Sequence, residues 1–394
     1  MKKKLIIFLS EIKIRKYDIL RFDLDELESK YGYKIEIHEL IEYIHPGFSS
    51  MFTNIYKNRK IRSFKSFSSW KARILFLKKN FNSDILIISI IPLINFRSLK
   101  INYFINKNNF TTLKYRNITF PVFKTSKSIF SFMFEPKLIS LVKIKHLIQK
   151  YFLTLVTKYL SLSFNYTVVF GRKDKSHIRK NKSTKIISGN SFDYNMYLKH
   201  KNIKYKKRQN YALFLESPAP IHNQGDRYLT GDRNFFGTKK NWLKSINNFF
   251  DFIEKELKIK VLIAPHPKIK HLKRFSKIYD GREVVEEGLY QTSKNAKLII
   301  SRDSTGFAYA AIYKISAIFV YNNDLLQNKK FLNDQESFAS CLGLKPVNVD
   351  NKYSKKNLEK FLKFDKEIYN NYVQNYLTTR KDGKKNFEII HENI

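Results

Sequence analysis

The chain has 394 residues, about the length of two α/β domains, and its 43% hydrophobic content excludes a disordered protein. Its single cysteine, Cys341, excludes an internal disulfide framework and a zinc site built from cysteines. The 74 Lys and Arg residues stand against 34 Asp and Glu, which gives a formal net charge of +40.

This positive charge has two explanations. A strong positive field attracts polyanions, either nucleic acid or the anionic leaflet of a membrane. Alternatively, the charge reflects base composition, since an AT-rich genome encodes many Lys, Asn, Ile, Phe and Tyr residues. The lysines are spread along the chain rather than clustered, which favours this second explanation. The sequence contains no recognisable nucleic-acid-binding module. We therefore expect no nucleic-acid partner and keep an anionic membrane surface as a partner.

Strand-like and helix-like segments alternate through the first half of the chain. We predict a helix at residues 18–31, ended by Gly32, and strands at residues 4–9, 34–38, 84–89, 167–170 and 185–188. The first apolar run is short and is followed by Glu11, so it indicates a buried strand rather than a signal peptide. Residues 100–135 show no clear pattern.

Residues 138–160 are more apolar than their surroundings but are interrupted by four lysines, which indicates a basic amphipathic helix. Such a helix packs on a core or lies on a membrane surface. The longest uncharged stretch near residue 90 covers residues 85–96 and is too short to span a bilayer. We expect a cytoplasmic protein that binds peripherally to the inner face of the cytoplasmic membrane.

The second half follows a basic segment without apolar periodicity, which we take as a linker. We predict strands at residues 211–215, 261–264, 297–301 and 317–321 and helices at residues 242–257, 307–313 and 355–376. This alternation predicts right-handed βαβ units and parallel sheets. The fold class is therefore α/β, with two Rossmann-like domains facing a cleft. The segments are a first domain at 1–199, the linker at 200–209, a second domain at 210–354 and a helical tail at 355–394.

A histidine follows the predicted strand 261–264. Pro265 and Pro267 flank His266 and stiffen its turn, and Lys268 comes next. In open α/β sheets, ligands bind beyond the carboxyl ends of the strands. A rigidly held imidazole at such a place can donate a proton to a phosphate or to a leaving-group oxygen near neutral pH.

A hydroxyl-rich turn follows the predicted strand 297–301. Ser301, Ser304, Thr305 and Gly306 precede the predicted helix 307–313. Hydroxyls and backbone N–H groups at the start of a helix suit an anion. The same serine or threonine is also an ordinary helix cap, and the two roles are compatible.

A long polar loop follows the predicted strand 211–215. It contains Glu216, His222 and Asp226, which are acid and base types. A loop of this length at the exit of a strand favours a binding role over a merely solvated surface.

Several other chemistries are not supported by the sequence. It lacks the P-loop pattern, the dinucleotide-binding glycine pattern, the hydrolase G-x-S-x-G and the zinc-binding H-E-x-x-H. The D-x-D formed by Asp23, Leu24 and Asp25 falls inside the predicted first helix rather than in a loop. We therefore expect neither a bound metal nor a cofactor.

The His266-Pro267 turn followed by the Ser304-Thr305 turn resembles bacterial sialyltransferases, Kdo transferases and related transferases of surface polysaccharides. The likeness covers residues 210–320 well and the first half in outline. It implies the two-domain GT-B fold, and a nucleotide sugar, often CMP-activated, bound in the second domain. The segment 282–293, with Gly288, looks like the nucleotide-side loop of these families.

The resemblance also implies roles for individual residues. His266 would contact the donor phosphate and assist departure of the nucleotide, with Pro267 and Lys268 beside it. Ser304 and Thr305 would hold the same phosphate, in the turn that also contains Ser301 and Gly306. Because both turns follow parallel strands, at 261–264 and 297–301, we expect them to open at adjacent strand exits, about 4.8 Å apart, and to reach one anion. The acidic base motif of these families, Asp/Glu-Asp/Glu-Gly, is not evident in the first half, so Glu216, His222 and Asp226 are candidates for the base by position.

The expected function is metal-independent transfer of a CMP-activated nonulosonic acid or Kdo-like sugar to a surface polysaccharide or lipooligosaccharide. Two alternatives use the same fold, because a fold does not determine a function. One is a nucleotide-sugar epimerase or hydrolase. The other is a protein that binds a nucleotide sugar without catalysis.

Overall fold

The structure is a computed structural model. It describes residues 4–48, 56, 58, 60–81, 84–93, 95–116, 149, 151–153, 155–157, 159–160, 162–176, 184–204, 210–217, 237–266, 275–285 and 288–394. All structural statements below concern these residues.

Within these ranges, seven parallel strands form the first sheet, in the order β3-β2-β1-β4-β5-β6-β7. They are β1 Leu5–Ser10, β2 Lys34–Glu39, β3 Ile61–Ser63, β4 Ile85–Ser89, β5 Thr111–Tyr115, β6 Tyr166–Val169 and β7 Lys185–Ser188. All five strands predicted in this half are confirmed to within one residue at each end. Strand β1 is buried along its whole length, because its alternate side chains enter two cores on opposite faces of the sheet.

The helices of the first domain cover both faces of this sheet. They are Lys16–Arg21, Leu24–Tyr31, Ile41–Ile44, Phe67–Phe81, Phe96–Lys107, Arg172–Ser176 and Phe192–His200. The single helix predicted at residues 18–31 is wrong, since the chain breaks at Asp23, whose backbone is left-handed with φ 55°. The predicted stop at Gly32 is confirmed, with a left-handed φ of 70° that suits glycine.

Five parallel strands of the described chain form the second sheet, in the order β12-β11-β10-β8-β9. They are β8 Tyr211–Leu215, β9 Lys260–Ala264, β10 Leu298–Ser301, β11 Ser316–Tyr321 and β12 Val347–Asn348. The helices are Lys239–Leu257, Phe275–Ile278, Leu289–Thr292, Ala308–Tyr313 and Lys329–Ser340, with 3-10 segments Ser293–Asn295, Thr305–Phe307 and Asn323–Gln327. The four strands predicted here are also confirmed to within one residue.

Each sheet has one point where the strand order reverses. In the first sheet the chain runs outward from β1 to β3 and then continues on the other side from β4. In the second sheet it runs from β8 to β9 and then continues on the other side from β10. Ligands of open parallel sheets bind at such reversals, outside the carboxyl ends of the strands. We name these places the β1–β4 crevice and the β8–β10 crevice.

The C-terminal segment contributes to both domains. The helix predicted at residues 355–376 is wrong as one element, since it divides into Lys355–Phe361, Lys366–Tyr372 and a π-helical turn at Val373–Leu377. These pieces pack on the second sheet. The last helix, Asn386–Asn393, returns to the core of the first sheet. The chain passes close to Gly171 where it returns from the second domain to the first. Only glycine fits there, because a Cβ would lie 2.0 Å from the carbonyl oxygen of Asn375.

Asp23 connects three parts of the first domain. Its buried carboxylate accepts hydrogen bonds from Asn195 Nδ2 at 2.9 Å, Lys199 Nζ at 2.9 Å and the backbone N–H of Phe387 at 3.2 Å. Burial raises the pKa of Asp23 to about 6, although Lys199 lowers it. The break in the predicted helix therefore places an acceptor where the Phe192–His200 helix and the last helix meet.

We expect Asp23→Ala to destabilise the protein by about 2–5 kcal/mol, because it leaves two buried donors, Asn195 Nδ2 and the backbone N–H of Phe387, without their acceptor. The matched control is Asp25→Ala, since Asp25 is 54% exposed and pairs with Lys60 at 3.2 Å on the surface. The control should cost less than about 1 kcal/mol. Urea unfolding followed by circular dichroism measures both. Equal destabilisation by the two substitutions would contradict the role of Asp23.

Candidate functional site

The β8–β10 crevice lies where three neighbouring strands end at the same level. In the parallel register, Leu215 of β8 lies opposite both Ala264 of β9 and Ser301 of β10. The residues that follow each strand therefore meet at one edge. Two hydrogen bonds join these residues. The backbone N–H of Glu216 donates to the carbonyl of Ala264 at 3.0 Å, and the hydroxyl of Ser217 donates to the carboxylate of Asp303.

Glu216 is a buried acid at this edge, with 2% of its surface exposed. The hydroxyl of Tyr279 donates to its Oε1 at 2.9 Å, and its Oε2 has no hydrogen-bond partner among the described residues. Burial raises the pKa of Glu216 to about 8, while Tyr279 and Arg302 act in the opposite direction. The carboxyl group is therefore largely protonated at neutral pH.

Arg302 is a buried cation at this edge of the sheet. It is fully buried, with its guanidinium carbon 4.6 Å from the ring centroid of Trp242 and 5.1 Å from that of Phe331. Its charge lowers the pKa of both Glu216 and Asp303, whereas burial raises both. Arg302 thus stabilises the first residues of the turn that follows β10.

The Ser304 turn is closed by its own hydroxyl. Ser304 Oγ accepts from the backbone N–H of Gly306 at 3.3 Å, and the Ser301 hydroxyl donates to the carbonyl of Ser304 at 3.4 Å. Thr305 is exposed. The helix predicted at 307–313 begins at Ala308, after a 3-10 turn at Thr305–Phe307. The capping role of Ser304 is thus present, and the exposed Thr305 hydroxyl can contact a ligand.

Gly288 and Gly306 lie on the two sides of Leu289. A Cβ on Gly306 would come within 2.8 Å of Leu289 Cδ1, so the turn and the start of the Leu289–Thr292 helix pack closely. Gly288 caps that helix, and a Cβ on it would lie 2.4 Å from the ring of Tyr290. The structure therefore places Leu289, the residue after Gly288, against Gly306 of the Ser304 turn, although they are 17 residues apart in sequence.

His266 lies at the same edge but not on a neighbouring strand of the Ser304 turn. It follows β9, and β8 lies between β9 and β10. The prediction that the exits of residues 261–264 and 297–301 are adjacent is wrong, because β8 pairs with both strands. Two strand spacings amount to about 9.6 Å. A ligand that contacts both His266 and Ser304 must therefore lie over the exit of β8.

Four predicted site residues, His222, Asp226, Pro267 and Lys268, lie outside the described residues. Sequence reasoning missed Ser217, Tyr279, Arg302 and Asp303. Arg302 and Asp303 could have been predicted, since both directly follow a buried strand. From the sequence, we assigned only the serine, threonine and glycine residues of that turn to the site. Within the described ranges, no three His, Cys, Asp or Glu side chains are grouped as metal ligands would be.

No family model and no curated protein matches this chain. Solved structures are similar to it over almost its full length. UDP-GlcNAc 2-epimerase from Methanocaldococcus jannaschii is 13% identical, with a TM-score of 0.50 and 99% of each chain covered. The wall teichoic acid polymerase TagF is 12% identical, with a TM-score of 0.53, and the match covers 100% of this chain and 89% of that chain.

A second structure of TagF, soaked with CDPG, is 12% identical with a TM-score of 0.50 and covers 99% of this chain and 88% of that one. At these identities the similarity concerns the fold. It confirms the predicted fold class of two Rossmann-like domains, of the GT-B type.

Glu216 gives the stability of the second domain a defined pH dependence. Its pKa is about 8 in the folded chain and 4.5 for the ordinary side chain. Between these values the unfolded chain has released the proton and the folded chain retains it, so the contribution of Glu216 to stability falls as pH rises. We expect Glu216→Gln to be more stable than wild type at pH 8 by about 1–4 kcal/mol and equal to it near pH 4.5.

The measurement is urea unfolding at several pH values, followed by the fluorescence of Trp242 in a Trp70→Phe background. These are the two tryptophans of the chain, one in each domain. The matched control is Glu359→Gln, because Glu359 is exposed on the Lys355–Phe361 helix. A pH-independent difference between Glu216→Gln and wild type would show that the carboxyl titrates normally.

Proposed function

We propose that this protein is a glycosyltransferase whose nucleotide-sugar donor binds over the exit of β8. One observation supports this proposal above the others: β9, β8 and β10 end at the same level of the sheet. His266, Ser217 and the Ser304 turn, which follow these strands, therefore lie at one crevice. The crevice lies at the reversal of strand order, where parallel sheets bind ligands. A protein of the same fold was soaked with CDPG and another is an epimerase of UDP-GlcNAc, so nucleotide-activated donors suit this fold.

The donor phosphate would lie between the two outer turns. The exposed Thr305 hydroxyl and the Ser304 turn would contact it from the β10 side, and His266 from the β9 side. An imidazole that donates to the phosphate also stabilises the negative charge that develops as the nucleotide leaves. The resemblance to sialyltransferases and Kdo transferases supports a CMP-activated nonulosonic acid or Kdo-like sugar, and a surface polysaccharide or lipooligosaccharide as acceptor.

Glu216 supports the crevice rather than contacting the acceptor. A catalytic base must come within hydrogen-bond reach of the acceptor hydroxyl. The Glu216 carboxyl is buried and bonded to Tyr279, with Arg302 as its nearby cation. We assign it the role of fixing the start of the loop after β8, which contains His222 and Asp226.

An epimerase or hydrolase is the second candidate, because the similarity to UDP-GlcNAc 2-epimerase covers 99% of both chains. Products distinguish the candidates. A transferase needs an acceptor to release nucleotide quickly, a hydrolase does not, and an epimerase leaves the nucleotide attached to an altered sugar. A non-catalytic binding protein would be stabilised by a nucleotide sugar without any turnover.

The donor site is tested with a panel of CMP, UDP, CDP-glycerol, CMP-sialic acid and UDP-GlcNAc. A ligand at 100 times its Kd should stabilise the protein by about 2.7 kcal/mol, and we expect CMP to bind more tightly than UDP. His266→Ala should weaken CMP binding about 10- to 100-fold, because it removes a hydrogen bond to a charged group, and should also slow sugar transfer.

Ser304→Ala combined with Thr305→Val should weaken binding more than it slows the chemical step. The matched control is His391→Ala, since His391 lies on the last helix against Tyr31 and packs on the first domain. Calorimetry and nucleotide release measure these effects. Unchanged CMP affinity in both crevice variants would exclude this crevice as the donor site.

We also propose that the protein binds anionic membranes through the predicted helix 138–160, of which residues 149, 151–153, 155–157 and 159–160 are described. Its described residues are mostly helical, and Tyr151 and Tyr159 are 69% and 88% exposed. The exposed rings of Phe96 and Phe152 lie 5.6 Å apart beside them. No helix in the described part of the chain is long and apolar enough to cross a bilayer. Exposed aromatic side chains on a chain of net charge +40 suit a negatively charged lipid surface.

Flotation with vesicles tests this proposal. We expect binding to vesicles that contain phosphatidylglycerol, weaker binding to vesicles of phosphatidylcholine alone, and a loss of binding as salt rises. Replacement of Tyr151 and Tyr159 by Ser should weaken binding further, because it removes apolar area. Equal binding to both vesicle types would leave base composition as the better account of the charge.

A further inference from the structure

The β1–β4 crevice of the first domain holds a carboxylate and an imidazole in contact. Glu11 directly follows β1, and His45 follows the Ile41–Ile44 helix after the neighbouring strand β2. His45 Nε2 lies 3.3 Å from Glu11 Oε2. Asn95, at the start of the helix after β4, donates to the carbonyl of Ile44 at 3.3 Å. Segments from both sides of the reversal in strand order therefore meet at this pair.

The two partners differ in exposure. The side chain of His45 is 9% exposed and that of Glu11 is 21% exposed. The backbone holds His45 firmly, because its N–H donates to Ile41 O at 2.7 Å and its carbonyl accepts from Phe48 N at 3.1 Å. His45 is thus the fixed partner, and Glu11 is the one that a ligand can reach.

The neighbouring carboxylate, Glu39, is occupied. Its oxygens accept from Lys13 Nζ at 2.9 Å, the backbone N–H of Ile14 at 2.8 Å and the Ser63 hydroxyl at 2.6 Å. Among the described residues, His45 is the hydrogen-bond partner of the Glu11 side chain. At this edge Glu11 is therefore the carboxylate with capacity to accept a further proton or hydrogen bond.

The helix that follows Glu11 lies close to a helix of the second domain. Tyr17, in the Lys16–Arg21 helix, and Asp193 both act electrostatically on Tyr309. Tyr309 belongs to the Ala308–Tyr313 helix, which begins two residues after Gly306. The Lys16–Arg21 helix and the Ala308–Tyr313 helix also both contact the Phe192–His200 helix. The chain that leaves the exit of β1 therefore leads towards the helix that leaves the proposed donor site.

We propose that Glu11 is the general base of the transfer and that His45 is its positioning residue; this rests on the proposed glycosyltransferase function. The acceptor hydroxyl oxygen forms a bond to the anomeric carbon of the donor sugar, and its proton passes to the Glu11 carboxylate. The bond from that carbon to the donor phosphate breaks, and the electron pair leaves with the nucleotide. His45 donates through Nε2–H and holds the carboxylate in place.

The experiment measures nucleotide release from CMP-sialic acid, CMP-Kdo, UDP-GlcNAc and CDP-glycerol, each with purified lipooligosaccharide as acceptor. For the donor that wild type turns over, Glu11→Gln should lower kcat by about 100-fold or more, with the affinity for CMP unchanged by calorimetry. Sodium formate should restore part of the activity of Glu11→Ala, since a small carboxylate can replace the missing base. Glu42→Gln, on the adjacent helix, is the matched control and should retain wild-type kcat.

His45 has its own readout. His45→Gln keeps an N–H donor near the position of Nε2 and should retain kcat within about fivefold, whereas His45→Leu should lower it about 10-fold or more, with KM little changed. A fall in kcat that is equal for both substitutions would contradict a positioning role through this hydrogen bond.

The outcomes separate the two proposals. If wild type releases no nucleotide from any of these donors, both the glycosyltransferase function and the role of Glu11 as base are refuted. If wild type is active and Glu11→Gln is equally active, only the assignment of Glu11 falls. Loss of activity in His222→Ala or Asp226→Asn, with full activity in Glu11→Gln, would move the base to the loop after β8.

Discussion

The parallel pairing of β8 with both β9 and β10 is the constraint on which the candidate site depends. Parallel strands end at one edge, and here the register places Leu215, Ala264 and Ser301 side by side. Any residue that follows one of these strands is therefore held close to those that follow the others. A shift of register by one residue would move Ser301 to the opposite face and separate the Ser304 turn from the crevice.

Buried charge then fixes the geometry of that edge. The guanidinium of Arg302 stacks between two aromatic rings and acts on the carboxyl groups of Glu216 and Asp303. Burial of such groups is costly unless they are neutral or partnered. Here Glu216 is largely protonated, Arg302 supplies a buried positive charge, and the hydroxyl of Ser217 donates to Asp303. Arg302 and Asp303 lie just before the exposed Thr305 in the turn after β10.

Specific contacts join the two domains in the described part of the chain. The Phe192–His200 helix, which follows the first sheet, stacks His200 on Tyr290 with ring centroids 4.0 Å apart and places Tyr197 against Tyr313 at 5.6 Å. The final segment crosses back over Gly171 and ends in the core of the first domain. The sugar transfer proposed above requires such contacts, because the proposed donor site and the proposed base lie on different domains.

The sequence by itself determined nine of the twelve strands of the described residues, the α/β class and the location of polar residues after strands, because apolar runs and turn residues are local signals. The three strands that it missed, β3, β5 and β12, lack a long apolar run. It did not determine the order of the strands, so the adjacency expected for His266 and Ser304 was wrong. The left-handed break at Asp23 and the pairing of Glu11 with His45, 34 residues apart, were equally invisible. These features depend on which segments pack together, and only the tertiary structure decides that.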